Sequence, residues 1–236
     1  MDYFYTQPEK IATTSLIIDG DEFTHLTHVM RKRVGDTIRI VDGLGTAHDA
    51  EIKEITKKTA TAAILETYKN HNEHPVAITL AVGILKNPSR FDFLVEKVTE
   101  LGAKEIIPLR TDRTIPSHAK VDRWQKLALA AMKQSGRSFL PMVRNTKSLD
   151  EFLNDTNSFD LKLIAHEKEE ENAPIRIAPS SRSASSMVIL IGPEGGFSDE
   201  EVNRCVDAGY QRLYLGERRL RTETAAIVAV SKFIVP

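Results

Sequence analysis

Two stretches decide how this chain is read: Ile191-Gly192-Pro193-Glu194-Gly195-Gly196-Phe197 and, after a short helical signal, Leu215-Gly216-Glu217-Arg218-Arg219-Leu220-Arg221-Thr222-Glu223-Thr224-Ala225-Ala226. Each follows a short apolar run, 187–191 in the first case and 212–215 in the second. Runs of that length and β-branched character are those of buried parallel strands. Both stretches therefore read as loops at strand C-terminal ends, the edge of an open α/β sheet where ligands bind. Glycine has no Cβ, so a ligand there can lie against bare backbone amides and carbonyls.

The first loop is glycine-rich and runs into a helix start at Ser198, which suggests a phosphate cradle. It lacks the Gly-Lys-Ser/Thr ending and the Gly-x-Gly-x-x-Gly spacing, so neither the nucleoside triphosphate nor the dinucleotide motif is met. An anion nest for another phosphate ligand stays open, as do two turns that bind nothing. The compact Leu220-Arg221-x-Glu223-Thr224 cluster favours a site.

Gly-Pro-Glu-Gly-Gly-Phe followed by Leu-Gly-x-Arg-x-Leu-Arg-x-Glu-Thr-Ala resembles the RsmE family, methyltransferases of the SPOUT superfamily that methylate N3 of a uridine in small-subunit (16S) ribosomal RNA. The resemblance extends through Leu85-Lys86, the helix from Arg90 to Gly102, Gln134-Ser135-Gly136-Arg137 and Ala165-His166-Glu167. It reaches His28-Val29-Met30-Arg31, where the family usually has leucine before the arginine, and so covers nearly the whole chain.

The resemblance implies an α/β fold: a small N-terminal PUA-like β-barrel that binds RNA, residues 1–72, then a SPOUT-type trefoil-knot domain with a mostly parallel sheet, residues 73–236. It implies S-adenosylmethionine as methyl donor, no metal and a homodimer. Three segments would hold the cofactor: Ala165, His166 and Glu167; Ile191, Gly192, Pro193, Gly195 and Gly196; and Leu215, Gly216, Leu220 and Thr222. Loss of the N3 proton spreads negative charge onto the uridine carbonyls, which a fixed guanidinium stabilises. Arg221 is the candidate for that role, against a structural ion pair with Glu223 or Glu194. Glu194 is either a proton acceptor or an orienting group. Arg31, Arg33, Arg90 and Arg137 are the candidate RNA contacts, with surface or helix-capping roles as alternatives. The uridine would have to be unpaired or flipped, because N3 is hidden in a base pair. A noncatalytic ribosome-assembly factor, and a SPOUT methyltransferase acting on another RNA, are the competing readings.

The chain has 236 residues, 41% hydrophobic and 28% charged, which suits one large or two modest soluble domains. The lone cysteine, Cys205, excludes an internal disulfide and a cysteine-based metal site and fits a reducing cytoplasm. No run approaches a membrane span. The formal charge is −1, so a broad basic surface for nonspecific nucleic-acid binding is excluded. Residues 1–72 hold 9 Lys and Arg against 11 Asp and Glu. RNA contact must then come from local clusters such as Arg31-Lys32-Arg33, and an assembled small subunit is the expected substrate, with shape contacts replacing bulk charge.

Alternating strands are expected over 15–18, 37–41, 47–55 and 59–68, with Phe23, Leu26, Val29 and Met30 at helical spacing between the first two. The polar run 68–75 reads as a linker, and His71 and His74 within it as solvated loop residues. Beyond it strands and helices alternate: a strand over 77–85, a helix opened by Pro88 and stopped by Gly102, a strand over 105–109, a helix over 122–136, and a strand over 161–165. Capping boxes stand at Ser148 and Ser198. Residues 167–186, charged and then serine-rich, suggest a flexible excursion. The last helix, from Thr222, has almost no polar face, and burial on all sides is expected of it.

Overall fold

The computed structural model describes residues 2–115, 119–155, 158–166 and 184–234. They divide into two compact units, 1–73 with 129–140, and 74–128 with 141–236.

The first unit is a five-stranded sheet of β1 (Tyr3–Tyr5), β2 (Ser15–Asp19), β3 (Thr37–Val41), β4 (Thr46–Ile55) and β5 (Thr59–Lys69), in the order β1-β3-β4-β5-β2. Only β1 is parallel to its neighbour. Leu16 and Ile18, Ile38 and Ile40, Ala50 and Ile52, and Ala60 and Ala62 all turn to one core around Phe4, as alternation requires. Two register shifts bend β4, at Asp49/Ala50 and Ile52/Glu54. The Thr6 hydroxyl donates to the Ile17 carbonyl at 2.6 Å and ties the edge strands together.

Three local expectations change here. Helix α1 (Gly20–Thr24) passes into a π-helical turn over His25–Val29. The wider turn shifts the stripe, so Phe23 and Leu26 are buried while Val29 is 65% exposed. Segment 70–73 is no free linker. The Glu73 carboxylate accepts from the Ser138 and Phe139 amides and from Arg137, and Ser138 Oγ donates to the His71 carbonyl. His71 is half-buried against the rings of Tyr3 and Tyr68; burial, followed by the charge of Arg39, pushes its pKa down.

The second unit is a parallel sheet of β6 (Ala77–Gly83), β7 (Glu105–Arg110), β8 (Met142–Val143), β9 (Lys147–Ser148), β10 (Leu161–Ala165), β11 (Ser186–Ile191) and β12 (Gln211–Leu213). The order is β12-β10-β11-β6-β7-β8, with β9 also on β7. β6 and β11 are buried at every position after the first, which is why they read as unbroken apolar runs. From β6 the chain steps outward to β7 and β8, and later fills the other side with β10, β11 and β12. The direction therefore reverses between β6 and β11, and a crevice opens at their C-terminal ends.

Helix α2 (Pro88–Leu101) starts where the Asn87 side chain accepts from the Ser89 amide, and stops at Gly102 with φ 111°. Helix α3 (Val121–Gln134) contributes its residues up to 128 to this unit. Helices α4 (Leu149–Asn154) and α5 (Asp199–Asp207) carry the two capping boxes, Ser148 with Glu151 and Ser198 with Glu201. Helix α6 (Thr222–Ile234) packs on α2, β6 and β11. It buries Ala226, Ala229 and Val230, while Ile227, Val228, Phe233 and Ile234 are only half-buried. Burial on all sides is thus corrected: among the described residues, neighbours bury one face fully and the other in part. The expected excursion over 167–183 lies outside the described residues, as does Glu167.

Candidate active site

The first glycine loop follows β11 and is fixed from several sides. Pro193 lies so close to β6 that a Cβ on Gly83 would sit 2.5 Å from its nitrogen and Cδ. A Cβ on Gly192 would meet the Gly196 backbone at 2.9 Å. The Gly196 amide closes a turn onto the Pro193 carbonyl, with φ 69° at Gly196. From the loop after β7, Arg113 Nη1 donates to the Gly195 carbonyl at 2.7 Å. Asp112 of the same loop donates its amide to the fully buried Glu201 at 2.8 Å, and its carboxylate accepts from Ser198 Oγ. The start of α5 therefore anchors both loops.

Glu194 points back across the crevice. Its Oε1 accepts from the Lys86 amide at 3.0 Å and from Arg90 Nη1 at 3.2 Å. Arg90 also grips Glu223, near the start of α6, with Nε to Oε1 at 3.0 Å and Nη2 to Oε2 at 2.6 Å. Burial favours the neutral form of Glu223, but the hydrogen bonds and charge of Arg90, with a contribution from Arg221, outweigh it and hold the pKa below the ordinary value. One guanidinium thus joins both loops through two carboxylates.

The second loop follows β12 and leaves the sheet through Gly216, at φ 119°. Arg218 and Arg221 are exposed, and neither guanidinium has a hydrogen bond or ion pair among the described residues. At the end of β10, the His166 amide donates to the Leu213 carbonyl and draws the third segment alongside.

These pieces enclose a cavity of about 390 Å³, within the usual range for small-molecule sites. Ala165 and His166 line it from β10, Ile191, Gly192, Pro193, Gly195 and Gly196 from the first loop, and Leu215, Gly216, Leu220 and Thr222 from the second. Glu194, Arg221 and Arg90 line it too. Nothing lies within 4 Å of where a Cβ would stand on Gly196 or Gly216, while Ile191, Leu215 and Leu220 supply apolar walls. Among the described residues no group of three or more His, Cys, Asp or Glu is placed to hold a metal ion.

The candidate RNA arginines separate. Arg31 and Arg33 are exposed in the first unit, beyond the π-turn, with side chains unpaired among the described residues. Arg137 is corrected: it is 3% exposed and locked to Glu73 at 2.7 Å, since a buried guanidinium needs a carboxylate. Arg90 is engaged by Glu194 and Glu223. Sequence reasoning missed Arg113, Phe197, Arg218, Arg219 and Ala225 in the lining. Arg113 had a usable signal, its position just past an apolar strand.

Two family profiles match in order, an RNA methyltransferase PUA domain over 18–65 and an RNA methyltransferase domain over 72–234. The chain is 33% identical to the ribosomal RNA small subunit methyltransferase E of Synechocystis sp., over 95% of this chain and 74% of that one. With the protein of the same name from Bacillus subtilis it shares 32% identity, over 95% and 91%. The fold is similar to the crystal structure of ribosomal RNA small subunit methyltransferase E from Neisseria gonorrhoeae bound to S-adenosyl methionine: TM-score 0.86, 34% identity, 98% and 96% of the two chains. Two profiles in the right order and similarity along nearly its whole length place this chain in the ribosomal RNA small subunit methyltransferase E family.

Proposed function

We propose that this chain transfers the methyl group of S-adenosylmethionine to N3 of a specific uridine in small-subunit ribosomal RNA. The observation that carries the reading is Arg221, a guanidinium unpaired among the described residues, beside bare glycine backbone in one cavity. Glu194 and Glu223 make their ion pairs with Arg90 rather than with Arg221.

The cavity fits the cofactor. Glycine backbone and the Leu215 and Leu220 side chains suit a flat adenine, and the segments at 165–166, 191–196 and 215–222 would hold it. When bound, S-adenosylmethionine supplies a methyl group on a sulfonium. The chain's own residues position the acceptor, and positioning can lower such a barrier by about 7–11 kcal/mol. Arg221 stabilises the charge that develops on the uridine carbonyls as N3 loses its proton. Glu194 holds the first loop through Oε1, and its Oε2, without a hydrogen bond among the described residues, is a group able to accept that proton.

Arg31 and Arg33 give the PUA-like domain, residues 1–72, its RNA contact, and residues 73–236 are the knotted catalytic domain. The half-buried apolar face of α6 is where a second copy would pack as a homodimer. Place of action is the cytoplasm, on the assembled small subunit, as a net charge of −1 favours shape contacts over bulk charge.

The test is calorimetric titration with S-adenosylmethionine, followed by methyl transfer to small subunits and to stripped RNA with the product nucleoside identified. Binding together with 3-methyluridine is the expected result. Binding without transfer to either substrate would leave a cofactor-binding assembly factor instead.

A further inference from the structure

Five arginines line the cavity of a protein whose formal net charge is −1. Arg90 is accounted for by Glu194 and Glu223, and Arg219 has a partner within the chain. Arg113, from the loop after β7, and Arg218, from the loop after β12, are exposed and have no ion pair among the described residues. Glu217, next to Arg218 in sequence, makes no ion pair with it. Two guanidiniums on separate loops of one cavity, with no ion pair among the described residues, are placed to take a counter-charge from a ligand.

The methyl donor does not supply that charge. S-adenosylmethionine carries a sulfonium, an ammonium and a single carboxylate, so it brings more positive than negative charge. The acceptor ring offers only the charge that Arg221 meets. An RNA strand entering with its target uridine unpaired brings a phosphodiester on each side of that nucleotide, and guanidiniums bind phosphate oxygens in bidentate geometry.

We infer that Arg113 and Arg218 are the phosphate contacts of the RNA strand at the mouth of the cavity, fixing the nucleotides that flank the target uridine. The inference rests on the function proposed above. It puts substrate recognition at the catalytic pocket as well as on the first unit. Phosphate contacts set register and orientation without reading sequence, which suits two side chains beside a reacting base.

The experiment measures methyl transfer to small subunits at salt concentrations from 50 to 200 mM for the wild type, R218Q, R218K, R113Q and R113K. Each lost phosphate contact lowers the slope against log salt by about 0.7, so over this fourfold range R218Q should lose about 2.6-fold less kcat/KM than the wild type. Its KM for the subunit should rise, its affinity for S-adenosylmethionine should stay within twofold of wild type, and R218K should restore the slope. Arg113 should behave likewise, with some loss of cofactor affinity in R113Q because its bond to Gly195 is lost. An unchanged slope and KM in R218Q, or a loss confined to cofactor affinity, would overturn the inference. If the wild type transfers no methyl at all, salt-dependent binding of a single-stranded RNA oligonucleotide reads the same slopes. Slopes reduced by R218Q there would uphold the phosphate contact while the methyltransferase reading falls.

Discussion

The two glycine loops meet at one cavity but are held very differently. The first, after β11, is pinned by the Lys86 amide, Arg90, Arg113 and the close approach of Pro193 to Gly83. The second, after β12, is tied at its far end by Glu223 to Arg90, and it presents Arg218 and Arg221 to solvent. A loop with its polar groups satisfied by the protein forms a wall. In the function proposed above, the loop whose guanidiniums have no partner among the described residues is the reacting surface, because those charges are left to meet the charge that develops in the substrate.

The sharpest way to break this contrast is Arg221→Ala. Loss of one charge-stabilising donor should lower kcat by about 10²–10³-fold, with the melting temperature and S-adenosylmethionine affinity nearly unchanged. Full turnover would remove Arg221 from the chemistry.

Gly83→Ala tests the wall. The added methyl must displace the Pro193 backbone, and overpacking of this kind costs about 1–3 kcal/mol. Calorimetry should then show weaker cofactor binding together with lowered stability, whereas wild-type affinity would mean that the first loop yields without consequence.

Glu223→Gln tests the tie between the loops. Loss of the ionised partner of Arg90 should cost about 1.5–3 kcal/mol at neutral pH. Because the folded-state pKa of Glu223 is lowered, its contribution is fully present above pH 4.5, the ordinary glutamate value, and is lost as pH falls through the lowered value. Denaturation curves of wild type and E223Q should therefore converge in acid; a constant gap would assign the loss to packing.

The smallest effect belongs to Ser198→Ala. Loss of the α5 cap and of the bond to Asp112 should cost about 1 kcal/mol. Urea titration should show it with kcat unchanged. A fall in kcat would tie the cap to the reacting surface.

Strand, loop and helix order in the second unit was legible because buried parallel strands and capping boxes are local signals. The apolar run into Gly192 and Ser198-x-x-Glu201 each lie within a few residues. Arg113 and Arg90 were not legible as loop supports, because their partners stand 82 and 133 residues away and no periodicity spans such gaps. Arg137 failed for the same reason, since its carboxylate comes from Glu73, 64 residues earlier. The three-residue β1 and two-residue β8 and β9 are too short to show alternation. In α6 the composition marked an apolar helix, but only packing showed that one face is buried fully and the other in part.

The sequence alone therefore determined the α/β rhythm, the two glycine loops at strand ends and the glycine and apolar residues by which those loops line the cavity, since each depends on short-range patterning of apolar, glycine and capping residues. The tertiary structure decided which arginines are held by carboxylates. Pairing of a guanidinium depends on whether a carboxylate from a distant part of the chain lies within about 3 Å of it, and only the folded chain brings Glu194 and Glu223 to Arg90 while leaving Arg113, Arg218 and Arg221 without one among the described residues.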